Sequence, residues 1–260
     1  MSEDDQVVLV TRREQVLVIT LNRPQARNAI NAALATALAA ALDDLDADPD
    51  LLVGVITGSP PSFCSGMDLK ALVAGESAWV EDRGFAGIAK RSARKPLIAA
   101  VEGFAVAGGF EVALACDLIV AANDARFALP EVKRGLYAGG GALLRLPKRV
   151  PYHLAMEMAL TGDPQRADRL YEFGLINRVT QPGETLEAAF ELAQAIVANS
   201  PLAVRMTKEV LQLQYDWSND EAWAELDQRW TTILAAPDAH EGATAFAEKR
   251  APNWLAPEPA

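Results

Sequence analysis

An α/β fold is predicted by three features: four hydrophobic, β-rich runs, a long helix-forming segment between the first two, and turn residues after each run. The runs are residues 16–21, 51–57, 96–101 and 117–122. Their near-continuous hydrophobicity predicts strands buried on both faces, as when helices cover a sheet, and disfavours an antiparallel sandwich. Residues 28–48 are rich in Ala and Leu without an internal Gly or Pro, which predicts the first long helix. A short helix, the strand at 118–122, a turn at Asn123-Asp124 and a second short strand are expected after Gly108.

Beyond Gly139 no further strand is predicted. Helices are expected at 151–160, 165–173, 184–198, 201–215, 219–235 and 239–248, separated by short Gly, Pro and Asp punctuation. The last three form an appendix whose larger apolar groups include Trp217, Trp223 and Trp230. Internal cores and subunit contacts are both enriched in aromatics, so both placements stay open. The Pro-rich end at 256–260 is expected to fray.

Of the 260 residues, 50% are hydrophobic and 23% charged, enough apolar surface for a large core, which excludes a disordered or fibrous chain. No run reaches the roughly 18 apolar residues of a membrane span, and the start Met1-Ser2-Glu3-Asp4-Asp5 is acidic where a targeting peptide would be basic. A soluble cytoplasmic protein is expected. With 24 basic against 35 acidic residues the net charge is −11, which disfavours nucleic acid and anionic membrane as partners. Cys64 and Cys116 form no CxxC pair or Cys/His cluster, so neither a disulfide framework nor a metal site is expected.

The chemistry concentrates in residues 103–117, where a buried strand turns through Gly108 and Gly109 into a short helix carrying Glu111 in its first turn. Unpaired N–H groups at such a helix start can hold an oxyanion, and glycine lets a ligand approach closely. An ordinary strand-to-helix turn, with Glu111 acting on the helix dipole, would show the same residues. Glu131 follows Pro130 and precedes the glycine-rich stretch 135–141. One continuous helix would hold it ~30 Å from Glu111, but the intervening strand and turn can bring it back. Paired carboxylates in different surroundings can divide acid and base work. Residues 63–70, Phe-Cys-Ser-Gly-Met-Asp-Leu-Lys, supply a second turn at Gly66, and the Met67 N–H could face that of Gly108 to complete an oxyanion hole.

With these motifs in this order, the chain resembles the enoyl-CoA hydratase/isomerase, or crotonase, superfamily over nearly its whole length. The resemblance is carried by Leu21-Asn-Arg-Pro-Gln-Ala-Arg-Asn-Ala-Ile30, Phe63-Cys-Ser-Gly-Met-Asp-Leu69, Lys95-Pro-Leu-Ile-Ala-Ala-Val-Glu-Gly103, Ala107-Gly-Gly-Phe-Glu111, Cys116-Asp117 and Phe246-Ala-Glu-Lys-Arg250. It implies a crotonase-like spiral of ββα repeats with its site in residues 1–198, and a C-terminal helical trimerisation region at 199–260. The implied activity is hydration of the 2,3 double bond of an enoyl-CoA thioester, through an enolate held by the Met67 and Gly108 N–H groups. Glu111 and Glu131 would hold the added water, with Gly139 beside it. Coenzyme A would enter as part of the substrate, with no separate cofactor and no metal.

The resemblance also places Arg23, Gln25, Ala26 and Arg27 in a CoA loop, with Ser65 and the stretch Met67, Asp68, Leu69 and Lys70 along the adenine and pantetheine side. Phe246, Lys249 and Trp230 match positions that reach the CoA of a neighbouring subunit in a homotrimer or dimer of trimers. The run Lys90, Arg91, Arg94 and Lys95 could meet phosphates or form a solvated helix face. Residues 139–146, Gly-Gly-Gly-Ala-Leu-Leu-Arg-Leu, depart from the more usual Gly-Ala-Gly-Gly-Thr-Gln-Arg-Leu, and Tyr137 stands where a smaller aliphatic residue is common. Those departures keep an isomerase or a carnitinyl-CoA-type dehydratase open as the alternative. A non-catalytic acyl-CoA-binding or RNA-binding relative is disfavoured by the two retained glutamates and by charge. A serine hydrolase built on Ser65, His153 or His240, and Asp68 or Asp117 lacks a Gly-x-Ser-x-Gly elbow. A nicotinamide site at Gly139-Gly140-Gly141 lacks the third glycine and the preceding strand.

Overall fold

The computed structural model describes residues 6–254, so the acidic start at 1–5 and the Pro-rich end at 256–260 lie outside the described residues. The chain opens with an antiparallel pair, β1 (Val8–Arg13) and β2 (Val16–Leu21), with Val10 of β1 half exposed. Strand β1 is an edge strand with several solvated positions, so it carries little of the continuous apolar signal that marks the strands behind it. The first helix, α1 (Ala32–Ala47), starts later than residue 28 because Arg27 and Asn28 are in left-handed conformations, at φ 53° and 55°. Asn31 caps it by accepting from the Leu34 N–H at 3.1 Å. Leu34, Leu38, Leu42 and Leu45 recur on its buried face.

Strand β3 (Val53–Gly58) pairs parallel with β2, and a short helix α2 (Leu69–Val73) and a small hairpin, β4 (Trp79–Val80) with β5 (Gly84–Phe85), follow. Then β6 (Leu97–Val101) runs into β7 (Phe104–Val106), which opens α3 (Gly108–Ala115). Strand β8 (Leu118–Ala122) leads likewise to β9 (Arg126–Ala128) and a 3-10 turn at Pro130–Arg134. This twofold repetition of strand, short strand and helical turn is the ββα unit of the predicted spiral.

Helices α4 (Ala142–Arg145), α5 (Tyr152–Thr161) and α6 (Ala167–Glu172) continue the chain. Two short strands interrupt this half, contrary to the expectation of helices alone: β10 (Gln165–Arg166) and β11 (Arg178–Thr180). Both are too short to carry a period, and pairing with β9 and β8 creates them. The main sheet therefore has the order β1-β2-β3-β6-β8-β11, and a second sheet has the order β10-β9-β7. Helix α7 (Thr185–Val197) covers one face of the main sheet, where Ala189 and Ala193 meet Val16, Val18, Val53, Val55, Ile98, Ala100 and Val120. The alternate positions Leu17, Ile19, Leu21 and Ile56 join the larger core with the buried face of α1.

Three helices complete the described chain: α8 (Pro201–Leu213), α9 (Asn219–Ala235) and α10 (Pro237–Glu248). Lys208 anchors α8 to the core. Its buried ammonium donates to the Ala93 and Lys95 carbonyls, both at 2.8 Å, and pairs with Asp117 at 2.7 Å. Beyond this anchor the apolar groups are solvated: Trp223 and Trp230 are exposed, while Trp217 is half-buried with the Arg229 guanidinium 5.3 Å from its ring centre. Among the described residues no helix is long and apolar enough to cross a membrane.

Lys208→Ala leaves two carbonyls and a carboxylate without their cation, and truncating one partner of a buried pair costs about 3 kcal/mol or more. Chemical denaturation is expected to show a lower midpoint of that size, and an unchanged midpoint would rule out the anchor.

Candidate active site

Two backbone segments meet at glycines. Gly66 has φ 94°, and a Cβ there would lie 2.8 Å from the Ala107 Cβ and 3.0 Å from the Gly108 nitrogen. The Met67 stretch is held by a parallel bridge to Ile30, in which the Ile30 N–H donates to Gly66 and the Asp68 N–H donates to Ile30. A second bridge joins Cys64 to Ala105. The first N–H of α3 belongs to Gly108, and the Met67 N–H lies between two bridging residues. Among the described residues no hydrogen bond involves either N–H. Two free donors on adjoining segments can receive one oxyanion.

Glu111 stands one helical turn beyond Gly108 and so shares its face of α3. It is buried, with its Oε1 accepting from the Ala142 N–H at 3.2 Å. Burial pushes its carboxyl up to about 7, and the nearby Glu131 charge pushes the same way. Hydrogen bonds from the Ala142 and Gly140 backbone, and the Arg145 charge, act in the opposite direction. Glu131 is half-buried in the 3-10 turn, and burial raises its pKa too. Its Oε2 is buried without a hydrogen-bond partner. The return path through β8 and β9 thus brings the two carboxylates within electrostatic reach. A shared, unpaired and partly desolvated pair can hold one water and move protons near neutral pH.

The glycine packed against this carboxylate is Gly140. A Cβ on Gly140 would lie 2.5 Å from Glu111 Oε2, whereas one on the exposed Gly139 would approach only Tyr137, at 3.7 Å. Phe85 is a further neighbour that no sequence motif announces. A Cβ on Gly108 would meet its ring, at 2.5 Å from Cε1, so any larger residue at Gly108 disturbs packing as well as access to the N–H.

The matched CoA loop divides into structural and free groups. Arg23 and Asp68 pair with each other at 3.0 Å, and Asp68 also caps α2 by accepting from the Lys70 and Ala71 N–H groups. Ser65 Oγ donates to the Ala26 carbonyl at 3.3 Å. Asn28, which carries no role in the sequence reading, is the hub: fully buried, it accepts from the Arg23 N–H and donates to the Ser59 and Ser62 carbonyls. Gln25, Arg27, Leu69 and Lys70 are exposed. Phe246, Lys249 and Trp230 are exposed on the C-terminal helices.

In the basic run Lys90, Arg91 and Arg94 are solvated, off any helix, and three of the four cations meet the end of α1. Arg91 pairs with Asp43 at 3.4 Å, Arg94 lies 3.9 Å from Asp46, and buried Lys95 donates to the Leu45 and Asp48 carbonyls. These cations serve the acidic C-terminal end of α1, where the helix dipole also favours them. The hydrolase candidates are scattered: Asp68 serves Arg23, Asp117 serves Lys208, His153 packs on Tyr152 and His240 adjoins Thr244. Among the described residues no cluster of His, Cys, Asp and Glu could hold a metal ion.

Residues 11–257 match the sequence profile of the family described as Enoyl-CoA hydratase/isomerase. A crystal structure of enoyl-CoA hydratase from Mycobacterium tuberculosis H37Rv superimposes with a TM-score of 0.95 at 53% identity, covering 97% of this chain and 100% of that one. Carnitinyl-CoA dehydratase of Salmonella arizonae is 42% identical over 253 residues, 94% of this chain and 97% of its own. Mevalonyl-coenzyme A hydratase sidH of Aspergillus fumigatus is 41% identical over 92% of this chain and 91% of its own.

The raised Glu111 value has a stability consequence. Between the ordinary 4.5 and about 7 the folded protein keeps a proton that the unfolded chain has released, so stability falls as pH rises through this window and levels off above it. Glu131 acts in the same direction. Glu111→Gln is therefore expected to melt above the wild type at pH 8 and close to it at pH 4. Equal differences at both pH values in thermal scans would contradict the buried charge.

Proposed function

The chain belongs to the enoyl-CoA hydratase/isomerase family, and we propose that it adds water across the 2,3 double bond of an enoyl-CoA thioester. The observation that carries this reading is the pair of neighbouring, partly desolvated glutamates beside two free backbone N–H groups. The thioester oxygen accepts from the Met67 and Gly108 N–H groups, which stabilise the enolate as it forms. Water sits between Glu111 and Glu131. One carboxylate takes a proton from the water as its oxygen bonds to Cβ, and the other delivers a proton to Cα, so the elements of water are added in full. A carboxyl near 7 suits either direction of transfer. Coenzyme A belongs to the substrate, and no separate cofactor or metal takes part.

Exposed Gln25, Arg27, Leu69 and Lys70 receive the CoA, with Arg27 and Lys70 free for its phosphates, while Arg23, Ala26, Ser65 and Asp68 hold the loop in shape. The active unit is a homotrimer or a dimer of trimers in which the helical region after residue 198 completes a neighbour's CoA site. Support comes from the apolar side chains that this region leaves in solvent, with Trp230 at 62% and Phe246 at 87% exposure. The protein works in the cytoplasm. A dehydratase acting on a functionalised short acyl-CoA is the second reading, favoured by the 42% identity to a carnitinyl-CoA dehydratase. A screen of enoyl-CoAs, with loss of conjugated-thioester absorbance and product mass as readouts, separates the two.

Glu111→Gln and Glu131→Gln are each expected to lower hydration turnover ~10²–10⁴-fold with little loss of CoA affinity. Unchanged turnover in either variant removes that residue from the mechanism. Lys249→Glu is expected to weaken CoA-ester binding, with an effect that fades as salt rises. Mixing it with Glu111→Gln subunits should restore activity, because a mixed trimer contains a site with Glu111 and Lys249 both intact. No recovery after verified exchange would exclude a lysine supplied in trans.

A further inference from the structure

We propose that Phe85 and Trp79 form a two-ring plug that ends the acyl site beside the reacting carbons and restricts the substrate to short acyl groups. The proposal rests on the hydratase reading for the position of those carbons, between the Met67 and Gly108 N–H groups and the two carboxylates. Three consecutive atoms of one Phe85 edge define the wall. Cζ and Cε1 pack against Gly108, where a Cβ would lie 2.5 Å from Cε1, and Cδ1 lies 2.8 Å from where a Gly140 Cβ would stand. That same Gly140 point is 2.5 Å from Glu111 Oε2. The ring edge thus packs against Gly108 and against Gly140, the glycine next to the Glu111 carboxylate, and on this proposal it stands in the way of a longer alkyl chain.

The ring sits on a conformationally constrained segment. Gly84, Ala86 and Gly87 surround it with left-handed backbone, at φ 74°, 56° and 72°. Behind it the segment is pressed on α1, since a Cβ on Gly87 would lie 2.5 Å from the Ala35 carbonyl and 2.8 Å from the Ala39 Cβ. Trp79, its partner across the β4–β5 pair, packs on the ring, with ring centres 5.0 Å apart in an edge-to-face arrangement of 62°. Phe85 is 2% exposed and Trp79 47%, so the pair reaches from the site to the surface. Removing the inner ring would open a passage along the line that the outer ring marks.

Calorimetric titration with the saturated esters butyryl-CoA and decanoyl-CoA tests the plug without depending on turnover. The wild type is expected to bind butyryl-CoA more tightly. In Phe85→Ala the ratio of decanoyl to butyryl affinity is expected to rise about tenfold or more, the scale on which apolar pockets discriminate by size. Phe85→Leu, which keeps the core filled, should shift the ratio the same way by less, and it decides the matter if the alanine variant fails to fold by circular dichroism. A wild type that binds both esters equally, or an unchanged ratio in a folded Phe85 variant, overturns the plug. Failure to hydrate any enoyl-CoA, with the ratio shifting as expected, overturns the hydratase reading and leaves the plug standing. Binding of neither ester overturns both.

Discussion

The contact between Gly66 and Gly108 is the constraint on which the site depends. A single methyl group at Gly66 would drive into Ala107 and the Gly108 nitrogen, so the two segments can meet only as bare backbone. Each segment is an outrun of a main-sheet strand: Met67 follows β3, and Gly108 follows β6 and β7. The parallel register of β3 with β6, together with the Cys64 to Ala105 bridge, aligns them where both glycines are buried. Asn28 fastens the outer loop to the same place by bonding three backbone groups from a fully buried position. Its left-handed conformation, which Asn tolerates better than most residues, also delays the start of α1.

Burial beside these amides sets the electrostatics. A carboxylate at Glu111 loses solvation that the Ala142 N–H at 3.2 Å and the Gly140 backbone replace only in part, so desolvation outweighs hydrogen bonding and the proton is held more tightly. Glu131 adds repulsion to that, and its own Oε2 is buried without a hydrogen-bond donor. The arrangement costs folding free energy at neutral pH, as expected where local consistency gives way to chemistry.

Cations are sparse in this acidic protein, and most of those near the core have structural duties. Lys95 and Lys208 donate to main-chain carbonyls, Arg23 is engaged by Asp68, and Arg149 donates to the Leu114 carbonyl at 2.7 Å. Donors of this kind fix the junctions between strand ends and helices, where carbonyls would otherwise be unpaired. The basic groups left in solvent on the matched loop and on the last helices are correspondingly few, which sharpens the reading of Arg27, Lys70 and Lys249 as the ones available to an anionic ligand.

The sequence by itself determined the α/β class, the four buried main-sheet strands after β1, six of the seven helices after Gly139 and the motifs at 63–70, 107–111 and 130–131, because hydrophobic runs, helix propensity and glycine placement are local properties written at short range. The strands β10 and β11 escaped it, since two or three residues carry no period and pairing alone makes them strands. The tertiary structure decided that Gly140 adjoins Glu111, because the turn at 135–141 places its glycines only when it folds against α3. It also decided that Arg23 and Asp68 satisfy each other, that the basic run serves α1, and that Phe85 stands at the site from a hairpin with no motif of its own. Each of these depends on which side chain meets which across long stretches of chain, and distance in space is what a linear order of residues does not contain.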